Sequence, residues 1–331
     1  MKPFDRLTPI GRARRLRLLG IEALKQFDLP IKSVRALDTS FNAVFKVDTH
    51  DNRRFALRVT APIAGHTEAN IRAELAWLAA LAEQTDIPVA TPLTSKKGGK
   101  MVMAQIDGVP EPRACALFKW IPGRDLAEVR TPKNMEEWGH LMARLHRHGA
   151  SFELPADADA PLNDKVFHWP EPVVMFDPKM KELFSPEGTD RFLRAIDWIE
   201  GIIARLKTTH PMHLTHGDLH HWNVRVSRGQ LVAIDFEDLL MGWPAQDIGT
   251  ALLPLYDCPD FDQLLAFFRA GYERCSPWPD AEGDQVNAFI AARGIELINL
   301  TLQDGRPLED DDVVERVRRH ASRLEILLPG A

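Results

Sequence analysis

The order of strand-like and helix-like segments is the feature of this sequence that most constrains its fold. From Ile31 onward the chain reads as three short segments, IKSVRALDTS, NAVFKVDTH and RRFALRVT, which are rich in β-branched and aromatic residues. Asp51 and Asn52 lie between the last two segments, and both residue types are common in tight hairpin turns. The sequence therefore predicts three antiparallel strands in this region.

One helix and two further strands complete the first part of the chain. The segment HTEANIRAELAWLAALAEQ has Ile71, Leu75, Leu78 and Leu81 at helical spacing, so they share one face. KMVMAQID and RACALFKWI follow as strand candidates. A helix also precedes the strands, because the arginines and leucines of GRARRLRLLG alternate in an amphipathic stripe.

Pro122 and Gly123 break the pattern after the last of these strands, and the chain beyond them is mainly helical. Two short strands, WNVRVS and QLVAIDF, interrupt the helices. This order predicts an α+β protein in two lobes. We expect a small antiparallel sheet in an N-terminal lobe of residues 1–117, a hinge at 118–123, and a larger helical C-terminal lobe at 124–331.

Composition excludes several classes of function. The 331 residues are 45% hydrophobic and 27% charged, as in ordinary globular proteins, and the net charge of −6 disfavours general nucleic-acid binding. No apolar run is long enough for a membrane span or a signal peptide. Three widely spaced cysteines indicate neither disulfides nor a thiolate zinc site. We expect a cytoplasmic protein without nucleic-acid or membrane partners, and the sequence leaves the oligomeric state open.

The stretch HPMHLTHGDLHHWNV contains five of the twelve histidines, but its carboxylate and amide carry the clearer signal. Asp218 precedes Asn223 by five positions, and Asp235 ends a predicted buried strand twelve positions after Asn223. An Asp–Asn loop followed by a hairpin that ends in a second Asp is a typical arrangement for phosphoryl transfer. Oxygen ligands of this kind are also those that Mg²⁺ prefers.

The histidines allow a competing interpretation. His216 with His220 or His221 could hold zinc in a hydrolase, with Asp218 as a further ligand. However, the segment lacks the HExxH pattern of zinc helices and follows the strand-like MHLT. We therefore rank zinc ligation below magnesium binding at the Asp and Asn side chains.

The two motifs together resemble those of the aminoglycoside phosphotransferase and choline kinase superfamily, which has a protein-kinase-like fold. HGDLHHWN and IDFED reproduce its HGDxHxxN and [IV]DF[DE]D signatures in order and spacing. The resemblance implies that Asp218 is the catalytic base, and that Asn223 and Asp235 hold Mg²⁺ on the nucleotide phosphates. It also implies that His216 and Asp247 support the catalytic loop.

The same resemblance implies a nucleotide site in the N-terminal lobe. Arg58 of FALRV stands where the family has a phosphate-pairing lysine, and Glu74 stands where its helix glutamate lies. Arginine keeps the charge but offers a planar fork instead of a point charge. The loop ALDTSFNAVFKV lacks GxGxxG, so Ser40, Phe41 and Asn42 are expected to cover the phosphates.

The segment FKWIPG resembles the hinge of the family, where backbone groups of Phe118, Lys119 and Trp120 are expected to contact adenine. The resemblance thus implies ATP and Mg²⁺ as cofactors and a small-molecule hydroxyl as acceptor, such as an aminoglycoside, choline or a homoserine-like amino alcohol. Two alternatives remain open. One is a protein Ser/Thr kinase of the stress-response type, and the other is a pseudokinase that binds nucleotide without turnover.

Overall fold

The structure is a computed structural model that describes residues 2–39, 41–62, 67–180, 183–184, 186–280, 283–303 and 310–328. The chain forms two compact units. The first consists of Met1–Gly123, Glu153–Asp159 and Ser227–Glu237, and the second of Arg124–Phe152, Ala160–Val226 and Asp238–Ala331. Each unit is built from several stretches, which the predicted continuous ranges 1–117 and 124–331 do not convey.

The first unit is a five-stranded antiparallel sheet with two helices. Along the chain its elements are α1 (Pro9–Leu24), β1 (Ile31–Asp38), β2 (Ala43–Thr49), β3 (Arg54–Val59), α2 (Glu68–Gln84), β4 (Met101–Ala104), β5 (Arg113–Lys119) and, from the later segment, β9 (Gln230–Ala233). The strands of the sheet lie in the order β1-β2-β3-β5-β4. All four pairings are antiparallel.

Alternation of side chains gives the sheet one face that packs against α1. Phe45, Val47 and Leu57 are fully buried there, together with Leu19 and Ala23 from the helix. The arginines of α1 lie mostly on its exposed face, in agreement with the amphipathic stripe. The core of the first unit therefore lies between this helix and the sheet.

The second unit is mainly helical. Its elements are β6 (Arg124–Asp125), α3 (Pro132–Gly149), α4 (Pro186–Thr209), β7 (His213–Thr215), β8 (Val224–Ser227), β10 (Leu240–Gly242), α5 (Pro244–Leu252), α6 (Phe261–Glu273), α7 (Gln285–Gln303) and α8 (Asp311–Leu327). β6 pairs with β8, and β7 pairs with β10. None of the described helices is long and apolar enough to cross a bilayer.

Helices α3 and α6 pack at unusually close range. A Cβ atom added to Gly139 on α3 would lie 1.8 Å from the Phe268 carbonyl oxygen, and one added to Gly271 would lie 1.7 Å from that of Glu136. Neither position tolerates a side chain without separating the helices. The two glycines thus let the backbones touch and fix α3, which carries a residue of the site described below.

The predicted class is confirmed, since a sheet-rich part precedes a helix-rich part. One detail was wrong. Asp235 was expected directly at the end of a strand, but β9 ends at Ala233, and Asp235 has a φ of 64°. That left-handed conformation is incompatible with strand continuation, so it separates Asp235 from the strand that precedes it.

Candidate active site

The carboxylate of Asp247, near the start of α5, accepts hydrogen bonds from the backbone of the loop that follows β7. Its Oδ2 accepts a hydrogen bond from the backbone N–H of His216 at 3.1 Å, and its Oδ1 accepts one from that of Gly217 at 3.0 Å. The Asp247 side chain is almost completely buried. A buried carboxylate on two consecutive amides fixes the backbone of the loop.

His146 and Tyr272 orient the Asp247 carboxylate. The Nε2 of His146, on α3, lies 3.0 Å from Asp247 Oδ2, and its Nδ1 lies 2.9 Å from the Tyr272 hydroxyl. A neutral imidazole protonated on Nε2 satisfies both contacts, because a carboxylate only accepts. Burial alone would raise the pKa of Asp247, but the hydrogen bond from His146 and the nearby His216 bring its pKa below the usual value. Asp247 is therefore a carboxylate at neutral pH.

Gly217 is required by the geometry of the same loop. Its φ of 80° is unfavourable for residues with a side chain, and an added Cβ would lie 2.0 Å from the backbone oxygen of Asp238. The glycine of HGD thus lets the loop approach the segment after IDFE closely.

Asp218 has both carboxylate oxygens in contact with donors of the second unit. Oδ1 accepts from Arg293 Nη2 at 3.1 Å, while Oδ2 lies 3.2 Å from Asn223 Nδ2 and 3.4 Å from His220 Nε2. Burial raises the pKa of Asp218 to about 7, and Arg293 opposes this while Asp238 adds to it. A carboxylate with a pKa near neutral is suited to accept a proton.

The Asn223 side chain is held by two hydrogen bonds to Asp218. Its Nδ2 donates to the Asp218 backbone oxygen at 2.9 Å as well as to the side chain. The amide orientation is thereby set, with Oδ1 as the oxygen left for a cation. This is the hard oxygen donor that Mg²⁺ binding requires, so the side chain fits the predicted role.

A small cavity of about 30 Å³ lies in the second unit beside this loop. Gly217, Asp238, His168, Arg293 and Glu296 are among the residues that line it. Within the described part of the chain, the buried atoms His168 Nε2 and Glu296 Oε1 have no hydrogen-bond partner. Glu296 Oε1 lies 3.4 Å from His168 Nδ1, so the two side chains are paired but keep hydrogen-bonding capacity for a group of about the size of one water molecule.

In the first unit, Arg58 on β3 and Glu74 on α2 form the predicted pair. Arg58 Nη1 donates to Glu74 Oε1 at 2.8 Å, and Nη2 donates to Oε2, so the contact is bidentate and fully buried. Glu237 Oε2 lies 3.4 Å from the same Nη1, and the Phe118 ring lies 5.5 Å from the guanidinium carbon. Although burial opposes it, the carboxylates Glu74, Glu237 and Asp235 raise the pKa of Arg58.

The predicted phosphate loop is described only in part. Ser40 lies outside the described residues, and Phe41 is 79% exposed. Asn42 is buried, because its Nδ2 donates to Glu237 and its Oδ1 accepts from the Ala61 N–H at 2.7 Å. Phe41 is therefore open to a ligand, whereas the Asn42 side chain already links two segments of the first unit.

Backbone hydrogen bonds of the first unit engage two of the N–H groups in the segment predicted to contact adenine. The Lys119 N–H donates to the Thr91 oxygen at 2.9 Å, and the Trp120 N–H donates to the Arg54 oxygen at 3.3 Å. Phe118 lies within β5 opposite Ala56. The N–H groups of Lys119 and Trp120 are thus not available to adenine while these bonds persist, which a sequence pattern could not reveal.

The histidines do not assemble a metal site among the residues described. His216 is fully buried, and its Nδ1 accepts from the Asp218 N–H at 3.3 Å. Burial lowers the pKa of both His220 and His221 to about 4, so both rings are neutral at pH 7. No group of three or more His, Cys, Asp or Glu side chains within the described ranges is arranged to hold a metal ion.

Comparison with known families decides the assignment that the two motifs suggested. The model of the phosphotransferase enzyme family matches residues 34–282. The chain belongs to this family. The match includes both motifs and nearly all of the sheet of the first unit, since it begins within β1, and the protein is accordingly a phosphotransferase, as predicted.

Solved structures with the fold of this phosphotransferase cover nearly the whole chain. Amicoumacin kinase in complex with AMP-PNP, Ca²⁺ and Ami is 19% identical, with a TM-score of 0.74 over 93% of this chain and 92% of the other. A microcompartment-associated aminopropanol kinase is 22% identical, with a TM-score of 0.72 over 91% and 93%. An uncharacterized protein from Deinococcus radiodurans is 27% identical over 253 residues, or 75% of this chain and 71% of the relative. The predicted protein-kinase-like fold is confirmed.

Several residues of this phosphotransferase site were not singled out from the sequence. Arg293 and Glu296 come from α7, and His146 comes from α3, none of them inside a recognisable motif. Glu237 and Asp238 lie within IDFED, so their place in the motif could have identified them as site residues. The others had no signal in one sequence, because only tertiary packing brings them to the loop.

Proposed function

We propose that this phosphotransferase transfers the γ-phosphate of ATP to a hydroxyl group of a small molecule, with Asp218 as the catalytic base. The observation that carries the proposal is the state of Asp218. Its carboxylate is fixed by donors on both oxygens, lies in a loop held by Asp247, and has a pKa of about 7. A base in this state accepts a proton from an attacking hydroxyl near neutral pH.

We propose that the protein binds the nucleotide together with Mg²⁺, through oxygen ligands and one basic side chain. We propose Asn223 and Asp235 as ligands of Mg²⁺, as their places in the family motifs imply. Bound Mg²⁺ would neutralise negative charge on the phosphate oxygens. Arg58, paired with Glu74, is proposed to orient phosphate, and Ser40, Phe41 and Asn42 of the preceding loop are proposed to cover it.

The adenine contact is proposed at the segment from Phe118 to Trp120. Because the Lys119 and Trp120 N–H groups are engaged, we expect backbone carbonyl oxygens in this segment to take part instead. The neighbouring structure of amicoumacin kinase carries AMP-PNP, which supports nucleotide use by this fold.

We propose that the acceptor is a small molecule with an amino and a hydroxyl group. The aminopropanol kinase acts, by its name, on such a molecule. In this chain, Glu296 Oε1 and His168 Nε2 accept or donate no hydrogen bond within the described residues, although Oε1 lies 3.4 Å from His168 Nδ1, and Asp238 lines the same cavity. These groups suit a hydroxyl or amino substituent, although the cavity admits only part of a substrate.

The test is a phosphorylation screen with Mg·ATP over amino alcohols, choline, sugars and aminoglycosides, read as ADP release and confirmed by mass spectrometry of the product. We expect turnover with at least one amino alcohol or aminoglycoside, and loss of that turnover in Asp218→Asn. Labelling of added proteins but of no small molecule would contradict the proposal and favour a protein kinase. ATP binding without transfer to any acceptor would favour a pseudokinase.

A further inference from the structure

Arg293 connects the proposed base to a helix that contains neither family motif. It lies in the middle of α7, and its guanidinium is directed at two carboxylates. Nη2 donates to Asp218 Oδ1 at 3.1 Å, and Nη1 donates to Glu296 Oε2 at 2.6 Å. Glu296 follows one turn later on the same helix, so the two carboxylates hold the guanidinium from different sides.

The contact between Arg293 and Asp218 restricts rotation about χ2 of Asp218, which the fixed backbone of the loop does not restrict. Rotation of an aspartate carboxylate about χ2 has a broad, twofold profile, so a fixed backbone does not by itself fix the two oxygens. Asn223 and His220 contact only Oδ2, at 3.2 and 3.4 Å. Arg293 is the described side chain that holds Oδ1, and the plane of the carboxylate is defined only when both sides are held.

The same guanidinium also forms part of the cavity wall. Arg293 and Glu296 line the cavity of about 30 Å³ together with Gly217 and Asp238. The Arg293 side chain is 17% exposed, and the Asp218 side chain 16%. A substituent of the acceptor in this cavity would therefore touch the residue that orients the base.

We propose that Arg293 is a positioning residue that sets the orientation of the Asp218 carboxylate for proton acceptance. This inference rests on the proposed function, because it assigns a role to Arg293 only if Asp218 is the base. Reacting groups need placement within a fraction of an ångström, and a displacement of about 1 Å can cost about 10²-fold in rate. The shorter, neutral side chain of glutamine at position 293 would leave Oδ1 without the charged guanidinium donor.

The test compares Arg293→Gln, Arg293→Lys and Asp218→Asn, with the double variant Arg293→Gln/Asp218→Asn, in the full-length protein. The probe is turnover of Mg·ATP to ADP with water as acceptor, and separately with 1-amino-2-propanol. We expect Arg293→Gln to lower kcat by about 10²-fold while KM for ATP stays within about threefold. Arg293→Lys, which keeps the charge but not the fork, should recover part of the loss.

The double variant separates positioning from a general structural role. If Arg293 acts through Asp218, Arg293→Gln has no further effect on kcat in the Asp218→Asn background. Arg323→Gln is the matched control, because Arg323 on α8 is also buried and donates to both oxygens of Asp257, at 2.8 and 2.5 Å. It should lower the melting temperature without lowering kcat.

The outcomes distinguish this proposal from the one on which it rests. If Asp218→Asn loses activity but Arg293→Gln matches the parent, the positioning role is wrong and the base assignment stands. If Asp218→Asn matches the parent, both fail. A full additional loss in the double variant overturns the positioning role, and so does a kcat loss in Arg323→Gln equal to that of Arg293→Gln. Should Arg293→Gln not fold, Arg293→Lys and Glu296→Gln provide the same comparison.

Discussion

Replacement of Asp247 by asparagine tests how the catalytic loop is held. The two carboxylate oxygens receive the N–H groups of His216 and Gly217 and the Nε2 of His146, all at 3.0–3.1 Å. Asparagine has nearly the same shape but offers one accepting oxygen and one NH₂ group. In either orientation of the amide, at least one buried backbone N–H faces another donor.

The expected cost follows from these contacts. An unsatisfied buried donor costs about 1–3 kcal/mol, and the remaining bonds lose the contribution of the negative charge, about 1 kcal/mol more. We therefore expect Asp247→Asn to lower the free energy of unfolding by about 2–4 kcal/mol. Tyr272→Phe removes only the hydroxyl that contacts His146, and should cost about 1 kcal/mol.

Urea denaturation followed by fluorescence and by circular dichroism measures both values, with Tyr272→Phe as the graded control. Since the loop carries Asp218, Asp247→Asn should also reduce kcat under conditions where the variant is still folded. If Asp247→Asn unfolds within 0.5 kcal/mol of the parent (about the scatter of such measurements), the loop is not held in this way. An equal cost for Tyr272→Phe would likewise refute the ranking.

Two further predictions concern the loop glycine and a remote histidine. Gly217→Ala should lower kcat and the melting temperature together, because the added Cβ meets a backbone oxygen at 2.0 Å where φ is 80°, and activity assays with thermal melts check this. An alanine variant with parental activity would show that the loop can move freely. Burial lowers the pKa of His320 to about 4, and its Nδ1 lies 3.0 Å from Arg323 Nη1. Its folded pKa is below the unfolded value, so its contribution to stability is present above about pH 6.5 and is lost as the pH falls toward 4. Between pH 7 and 5 the loss should be about 1–2 kcal/mol, and it should be absent in His320→Gln when unfolding is measured at both pH values.

Periodicity and turn residues were sufficient to predict most of the fold. The three strands after Ile31 and the helix that includes Glu74 follow from local patterns, and the structure places all of them. The missed strands, β6 and β10, have two and three residues, too few for any alternation to appear. Local patterns therefore predict helices and strands long enough to show a periodic pattern. They miss very short strands, which are defined only by pairing with a distant segment.

The candidate site divides in the same way. Asp218, Asn223 and Asp235 could be selected because a family motif fixes their spacing. Arg293 could not, because 75 positions separate it from Asp218 and only the packing of α7 brings the two together. The hinge shows the converse case, since the sequence indicates the segment but not that two of its N–H groups are already bonded.

Asp218 is proposed to serve as the base in phosphoryl transfer to a small-molecule hydroxyl. The most direct measurement is the rate of phosphorylated product formation from Mg·ATP and the best acceptor in the screen, for the parent and for Asp218→Asn. We predict that the variant stays folded at the assay temperature and keeps its affinity for ATP, and that kcat falls by about 10²–10⁴-fold, the usual contribution of a positioned base. Equal rates in the two proteins would contradict the claim.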